Sequence, residues 1–213
     1  MRRRSWFAVE GSLEPIDYDG PSFFRFPGTV AEHVIERYSV PGDWVIDPFC
    51  GFGTTLAVAE RLGRHAAGCE ADGHRAAFSS ARLRDPDRVV HGRCEDLPAD
   101  RWPPFALLLT SPPYGSFRSA GRDDDPDVYL SDARRLFTGL ARLLAPGATV
   151  AVEVSQLRQA SQTRPLVWQL GGTLSQILTL REDLVRVNTG GTEAGPGYNH
   201  SHVLIFDVPA TAP

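Results

Sequence analysis

The sequence predicts a doubly wound α/β fold built on a mainly parallel, Rossmann-like sheet, and three observations predict it. Short apolar runs alternate with amphipathic stretches at helical spacing through most of the 213 residues. One run, Phe105-Ala106-Leu107-Leu108-Leu109-Thr110, follows a pair of prolines and leads into another, as a strand buried on both faces would. Another, Trp44-Val45-Ile46, passes directly into a Gly-bearing turn and then a helix, the strand–loop–helix unit of such sheets.

The elements follow in order. Residues 1–28 read as a loop-rich segment carrying the aromatics Trp6, Phe7, Phe23, Phe24 and Phe26. A helix over Thr29–Tyr38 sets Val30, Val34, Ile35 and Tyr38 on one face, with Thr29 as cap and Pro41-Gly42 as stop. The strand at residues 44–46 and a helix over Thr54–Leu62 come next, then a strand over Ala66–Cys69, a helix over 73–84 and a strand over Arg88–Val90. The run at 105–110 is the fourth strand, and a helix over Val128–Leu144 stops at Pro146-Gly147. Thr149–Val154 is the fifth strand, and a helix lies near 157–170. Two β-rich stretches, Leu174–Leu180 and Val203–Val208, flank a Gly-rich loop over 189–199. Residues 29–213 thus read as one domain.

Composition narrows the function classes. A hydrophobic content of 42% with 23% charged residues is ordinary for a soluble globular chain. No apolar stretch approaches the roughly 20 residues that span a bilayer, so no membrane partner is expected. Three cysteines form no disulfide framework and suit a reducing cytoplasm. The net charge of −4 gives no general field for nucleic acid; all 22 basic residues are arginine. Neither C-x-x-C nor H-x-x-x-H spacing occurs, so no metal site is expected.

Two loops at strand ends carry candidate chemistry. In Asp47-Pro48-Phe49-Cys50-Gly51-Phe52-Gly53-Thr54-Thr55, Gly51 and Gly53 allow a tight turn beside unpaired helix N–H groups. The third glycine of the dinucleotide fingerprint and the Gly-Lys-Ser/Thr of a P-loop are both missing. Asp47 would repel a pyrophosphate and attract an ammonium, which favours a cofactor bearing an amino-acid moiety. Glu70 ends the next strand about 20 residues on, where a carboxylate accepts ribose hydroxyl hydrogens. Asp96 is a candidate for an adenine amino group, with Glu95 as its rival. The second loop, Ser111-Pro112-Pro113-Tyr114, has a hydroxyl, two rigid prolines and an aromatic ring, a clamp suited to a planar group bearing NH2.

Together the Asp47–Thr55 loop, Gly63-Arg64, Gly68-Cys69-Glu70 and Ser111-Pro112-Pro113-Tyr114 resemble the amino-directed DNA methyltransferases of the N4-cytosine/N6-adenine family. The likeness covers roughly residues 22–155, with residues 199–206 similar to the family's closing strand. It implies S-adenosylmethionine as cofactor and a class I methyltransferase fold of seven strands, one of them reversed at the edge. By position, Asp47, Pro48, Phe49, Gly51, Gly53, Thr54 and Thr55 would form the cofactor loop, and Phe26 and Pro27 would line its methionine side. Glu70 would take the ribose and Asp96 the adenine, while Ser111, Pro112, Pro113 and Tyr114 would be the catalytic motif. A Ser opening that motif leans towards cytosine N4, whereas Asp or Asn is usual for adenine.

The family's sequence-specific members usually carry a large target-recognition region, and this chain has little room for one. That size invites dimerisation or a separate specificity partner. The expected partner is a nucleic acid, DNA ahead of RNA. Other readings stay open: an RNA guanine-N2, small-molecule or protein-amide N-methyltransferase, or a non-catalytic cofactor-fold module binding through the amino-terminal aromatics.

Overall fold

The computed structural model describes residues 5–9, 25, 27–113, 125–159, 162–189 and 199–209. Phe26 and Tyr114 lie outside the described residues, as do Gly115–Asp124 and most of the Gly-rich loop. In chain order the strands are β1 (Trp6–Val9), β2 (Trp44–Asp47), β3 (His65–Glu70), β4 (Val89–His91), β5 (Phe105–Thr110), β6 (Leu144–Val154), β7 (Leu157–Gln159), β8 (Gln162–Arg164), β9 (Thr179–Asn188) and β10 (His200–Asp207). The helices are α1 (Gly28–Tyr38), α2 (Thr54–Arg61), α3 (Gly73–Ser80), α4 (Pro126–Leu140) and α5 (Leu166–Leu174). No helix among the described residues is long and apolar enough to cross a membrane.

Eight strands form one sheet in the order β1-β9-β10-β6-β5-β2-β3-β4, and β7 and β8 pair as a separate hairpin. The pairs β2–β3, β2–β5, β3–β4 and β5–β6 are parallel. Strand β10 alone runs against its neighbours, antiparallel to both β6 and β9. The reversed strand is therefore interior to the sheet, not at the edge, and the described sheet has eight strands rather than seven. The additional member is β1, which pairs parallel with β9 in a stretch that reads as loop from sequence.

Alternate residues of the central strands feed two cores. Val45, Leu107, Leu109, Ala151, Val203 and Ile205 face Val30, Val34 and Ile35 of α1 with Leu56 and Ala59 of α2. Ile46, Leu108, Val150, Val152 and Leu204 face Leu136, Phe137 and Leu140 of α4 with Leu166 and Leu170 of α5. Burial on both faces is why β5 reads as a continuous apolar run and why most of β6 from Val150 to Val154 is apolar. Hydrophobic layers on each side fix the register, because a one-residue slip would exchange the two faces.

Several boundaries differ from the sequence reading. Pro27, not Thr29, is the cap residue of α1, and no side chain caps it. Helix α3 ends at Ser80, four residues early, in turns that continue towards Leu83. Helix α4 ends at Leu140 and a short 3-10 turn follows, so Leu144 opens β6 and Pro146-Gly147 lies inside that strand. The stretch 157–164 is a hairpin, and the helix there begins only at Leu166.

Candidate active site

Parallel pairing brings the carboxyl ends of β2, β5 and β6 to one edge, with Ile46 opposite Leu108 and Thr110 opposite Val152. Asp47 ends β2 and is 3% exposed. Its Oδ1 accepts from the Thr110 hydroxyl at 2.7 Å and from the Phe49 N–H at 3.1 Å, and its Oδ2 accepts from the Thr55 hydroxyl at 2.7 Å. One carboxylate thus ties the end of β5 to both ends of the glycine loop. Burial pushes the Asp47 carboxyl up to about 6, against the pull of those three hydrogen bonds.

The loop backbone is closed by Gly53 N–H donating to the Cys50 carbonyl at 2.7 Å. Gly53, the cap of α2, has φ +75°, and Gly51 has φ +53°, both in the left-handed region. A Cβ on Gly51 would meet nothing within 4 Å, so the loop presents open space there. Glu70 ends β3 beside it: Oε2 accepts from the Gly51 N–H at 3.0 Å, and Oε1 from the Asp72 N–H at 2.9 Å and Arg75 Nη2 at 2.7 Å. Pro48 is buried and its carbonyl accepts from the Cys69 thiol at 3.0 Å. Thr54 begins α2, and Phe49 is partly buried.

Ser111 follows Thr110 directly, and its hydroxyl donates to Glu153 Oε2 at 2.9 Å. Pro112 is buried and Pro113 exposed. Glu153 lies in β6 at 6% exposure and is absent from the sequence reading. Its signal was available: a carboxylate in Thr149-Val150-Ala151-Val152-Glu153-Val154, a strand otherwise apolar and buried on both faces, needs a partner. Thr110 was likewise read only as the last residue of an apolar run.

The adenine candidates separate. Glu95 reaches Arg93 Nη2 at 3.3 Å and Arg135 Nη2 at 3.4 Å. Burial raises its carboxyl, and its own N–H, the Cys94 thiol and the Arg93 charge outweigh that and hold it below the usual range. Among the described residues the Asp96 carboxylate accepts from the Arg93 N–H at 3.3 Å, within its own turn. Pro27 accepts from the Val30 N–H at 3.0 Å. The hydrogen-bonded group therefore comprises Asp47, Thr55, Thr110 and Phe49, with Gly51 joined to Glu70 and Ser111 to Glu153; Pro27 and Asp96 sit in separate turns.

Cys50, Cys69 and Cys94 are buried free thiols, and burial pushes all three upward, Cys94 to about 12. Among the described residues no group of His, Cys, Asp or Glu is placed to hold a metal ion.

Comparison with known proteins places this geometry. Residues 19–79, which hold the glycine loop and Glu70, match the family described as DNA methylase. Over 47 residues the chain is 47% identical to the type II methyltransferase M.MthZI of Methanothermobacter thermautotrophicus, a stretch covering 22% of this chain and 13% of that protein. A S-adenosylmethionine-dependent methyltransferase of Methanosarcina mazei superposes with TM-score 0.60 at 13% identity, covering 84% of this chain and 98% of that one. A methyltransferase of Pyrococcus furiosus gives 0.58 at 14% identity, covering 85% and 83%. Magnesium protoporphyrin IX methyltransferase of Synechocystis, solved with its cofactor, gives 0.57 at 11% identity, covering 84% and 76%. The amino-terminal strand–loop–helix unit thus matches the DNA methylases, and the sheet that carries it has the class I S-adenosylmethionine-dependent methyltransferase fold.

Proposed function

We propose that this protein transfers a methyl group from S-adenosylmethionine to an exocyclic amine of a nucleobase, cytosine N4 in DNA being the preferred acceptor. The observation that carries the reading is the Ser111–Glu153 bond of 2.9 Å, set one residue beyond the Thr110–Asp47 bond of 2.7 Å. It holds an oriented oxygen next to the loop suited to the cofactor.

The residues fit that cofactor. Open space above Gly51 admits its backbone-hugging part, and the first N–H groups of α2 suit its carboxylate. Asp47 Oδ2, with one hydroxyl donor among the described residues, keeps capacity for the amino group. On this reading Glu70 would take the ribose hydroxyls and Asp96, whose carboxylate accepts from the Arg93 N–H, the adenine amine. When bound, S-adenosylmethionine supplies an electrophilic sulfonium methyl.

The chain's own residues prepare the acceptor. An exocyclic amine on a heteroaromatic ring is a poor nucleophile, because its lone pair is delocalised. Ser111 spends its proton on Glu153, so its oxygen faces the amine as an acceptor. The Pro112 carbonyl, which no N–H of its own competes for, accepts the second hydrogen. Two acceptors draw the nitrogen towards tetrahedral geometry and localise the lone pair. Glu153 is a positioning residue: without it the Ser111 hydroxyl can turn and donate to the base. Tyr114 supplies a stacking face for a base taken out of its helix. The rate gain comes from fixed dipoles and orientation.

The test is a methyl-transfer assay with labelled cofactor and duplex DNA, single-stranded DNA, total RNA and cell extract in parallel, the product being identified by mass spectrometry. Ser111→Ala is expected to lower kcat by about 10²–10³-fold with cofactor affinity unchanged. Glu153→Gln should lower kcat by roughly tenfold or more and leave KM for the acceptor nearly constant. Full activity in Ser111→Ala would remove its assigned role, and label appearing only in protein or small molecules would remove the nucleobase.

A further inference from the structure

Helices α4 and α5 pack on the same core and leave an open groove of about 690 Å3 between them. Arg134 and Arg135 of α4 and Arg142 just past its end line it, with Leu130, Thr173 and Gln176. Helix α4 commits Ala133, Leu136, Phe137 and Leu140 to the core, which turns the three arginines outward, and all three are exposed. Arg135 is held at the rim, with Nη2 3.4 Å from Glu95 and 3.7 Å from Asp132. The guanidinium groups of Arg134 and Arg142 make no ion pair or hydrogen bond among the described residues, whereas Arg37, Arg61, Arg75 and Arg88 each hold a carboxylate. No carboxylate among the described residues lines the groove.

Contacts tie the groove to the candidate site. Glu95 lies in the turn Cys94–Asp96 after β4, and β4 runs parallel to β3 and β3 to β2, so that turn is at the edge where Asp47 lies. Arg135 reaches it through Glu95. Arg142 precedes Leu144, which opens β6, so the groove runs along α4 from the site edge towards the opposite one. About 12 Å of helix rise separates Arg134 from Arg142. One strand of a duplex advances about 3.4 Å per phosphate, so that span matches about three or four phosphates.

We propose that the α4–α5 groove holds the sugar-phosphate backbone of the nucleic acid beside the acceptor base. This rests on the nucleic-acid reading above. A guanidinium stays charged at any physiological pH, and its planar fork matches a phosphate two bonds at a time. With a net charge of −4 the chain has no general field for a nucleic-acid backbone, so contact must come from local groups of this kind. A protein partner would anchor aromatic or aliphatic side chains in an apolar pocket, and Leu130 is the one large apolar side chain among the described lining residues. Phosphate contact carries no sequence information, so the groove sets position and not specificity.

The experiment compares wild type with Arg134→Gln/Arg142→Gln, Arg134→Lys/Arg142→Lys and a control, Arg61→Gln/Arg84→Gln. The control removes equal charge beside α2, on the other face of the sheet. Binding of duplex and single-stranded oligonucleotides is read by fluorescence anisotropy across a salt series, beside methyl transfer. The groove glutamine pair is expected to lose at least about tenfold in affinity, and its slope of log K against log salt to shrink by about 2 for duplex. KM for nucleic acid should rise with it while kcat holds. The lysine pair keeps both charges and should keep the wild-type slope, as should the control. If wild type methylates nucleic acid while the groove glutamine pair keeps its affinity and slope, this inference fails alone and the proposed function stands. Equal losses in the control, or a lysine pair that loses slope as the glutamine pair does, also overturn it. Nucleic acid bound through the groove but never methylated would remove the proposed function and keep the groove. Poly-glutamate bound by wild type and not by the glutamine pair, with nucleic-acid affinity unchanged, would assign the groove to an acidic protein and overturn the inference.

Discussion

Asp47 shows how one residue can serve the loop and strain the fold at once. Its carboxyl, ordinarily near 3.8, is raised to about 6 by burial, so the folded state holds a proton that the unfolded state releases first. The folded form therefore binds more protons between pH 4 and 6, and stability falls as pH rises through that window. At about 1.4 kcal/mol per unit the loss approaches about 3 kcal/mol. Urea midpoints of wild type and Asp47→Asn at pH 4 and 7 should show the wild type losing that stability while the Asn variant stays flat. Identical pH dependence in the two would place the charge cost elsewhere. The two loop glycines make a second contrast. A Cβ on Gly53 would press on the Ser79 side chain and lie 3.3 Å from its Cα, whereas one on Gly51 meets nothing. Gly53→Ala should lose about 2–4 kcal/mol by chemical denaturation, from left-handed strain plus the clash. Gly51→Ala should lose only about 1 kcal/mol and show its effect in cofactor affinity instead.

At the scale of elements, the turn that returns α2 to the sheet is held by Arg64, 8% exposed. Its Nη1 donates to the Leu62 carbonyl at 2.7 Å, Nη2 to the Ser39 carbonyl at 2.8 Å, and Nε to the Ser39 hydroxyl at 3.1 Å. The guanidinium thereby serves carbonyls at the carboxyl end of α1 and locks α1 to β3 at the edge opposite the site. From sequence, Gly63-Arg64 was only part of a family likeness; the contacts give it a structural reason. Arg64→Lys keeps the charge and loses the fork, and should cost about 1–3 kcal/mol in denaturant unfolding with cofactor affinity unchanged. A fall in cofactor affinity matching the stability loss would mean that the two ends of the sheet are coupled. The same elements explain what was legible. Strand β5 was read to the residue because prolines bound it and both faces are buried. Helix α4 was overrun because Leu143 and Leu144 continue the apolar spacing, although the first closes a 3-10 turn and the second opens β6. Strand β9 was missed over most of its length because Thr179–Asp183 are largely exposed and carry Arg181, Glu182 and Asp183, so no alternation shows. Half of the site was likewise legible: the glycine loop and Glu70 stand out by spacing, whereas Glu153 is local to no motif and becomes a partner of Ser111 only through the β5–β6 register.

Across the whole molecule, the sheet order explains both the reliability of the central reading and the errors at its rim. Strands β6, β5 and β2 each have neighbours on both sides and helices on both faces, so their sequences are constrained twice over. Strands β1 and β4 close the two edges with four and three residues, and a short edge strand leaves little pattern to read. Strand β1 owes its place to tertiary contacts: its Phe7 ring stacks on His33 of α1 at 4.1 Å, and its backbone pairs with Val185–Asn188. Opening free energies should follow the same order. Amides of Leu107–Leu109, Val150–Val152 and Val203–Ile205 should exchange only through global unfolding, with one common free energy. Amides of Phe7–Val9 and Val89–His91 should exchange at least about 100-fold faster, through local opening that leaves the rest intact. Hydrogen exchange read by NMR or mass spectrometry, with denaturant added below the transition, separates the two classes by their denaturant dependence. If β1 exchanges with the central strands, the amino-terminal segment is an integral part of the sheet; early exchange makes it an appended edge whose loss the candidate site would survive.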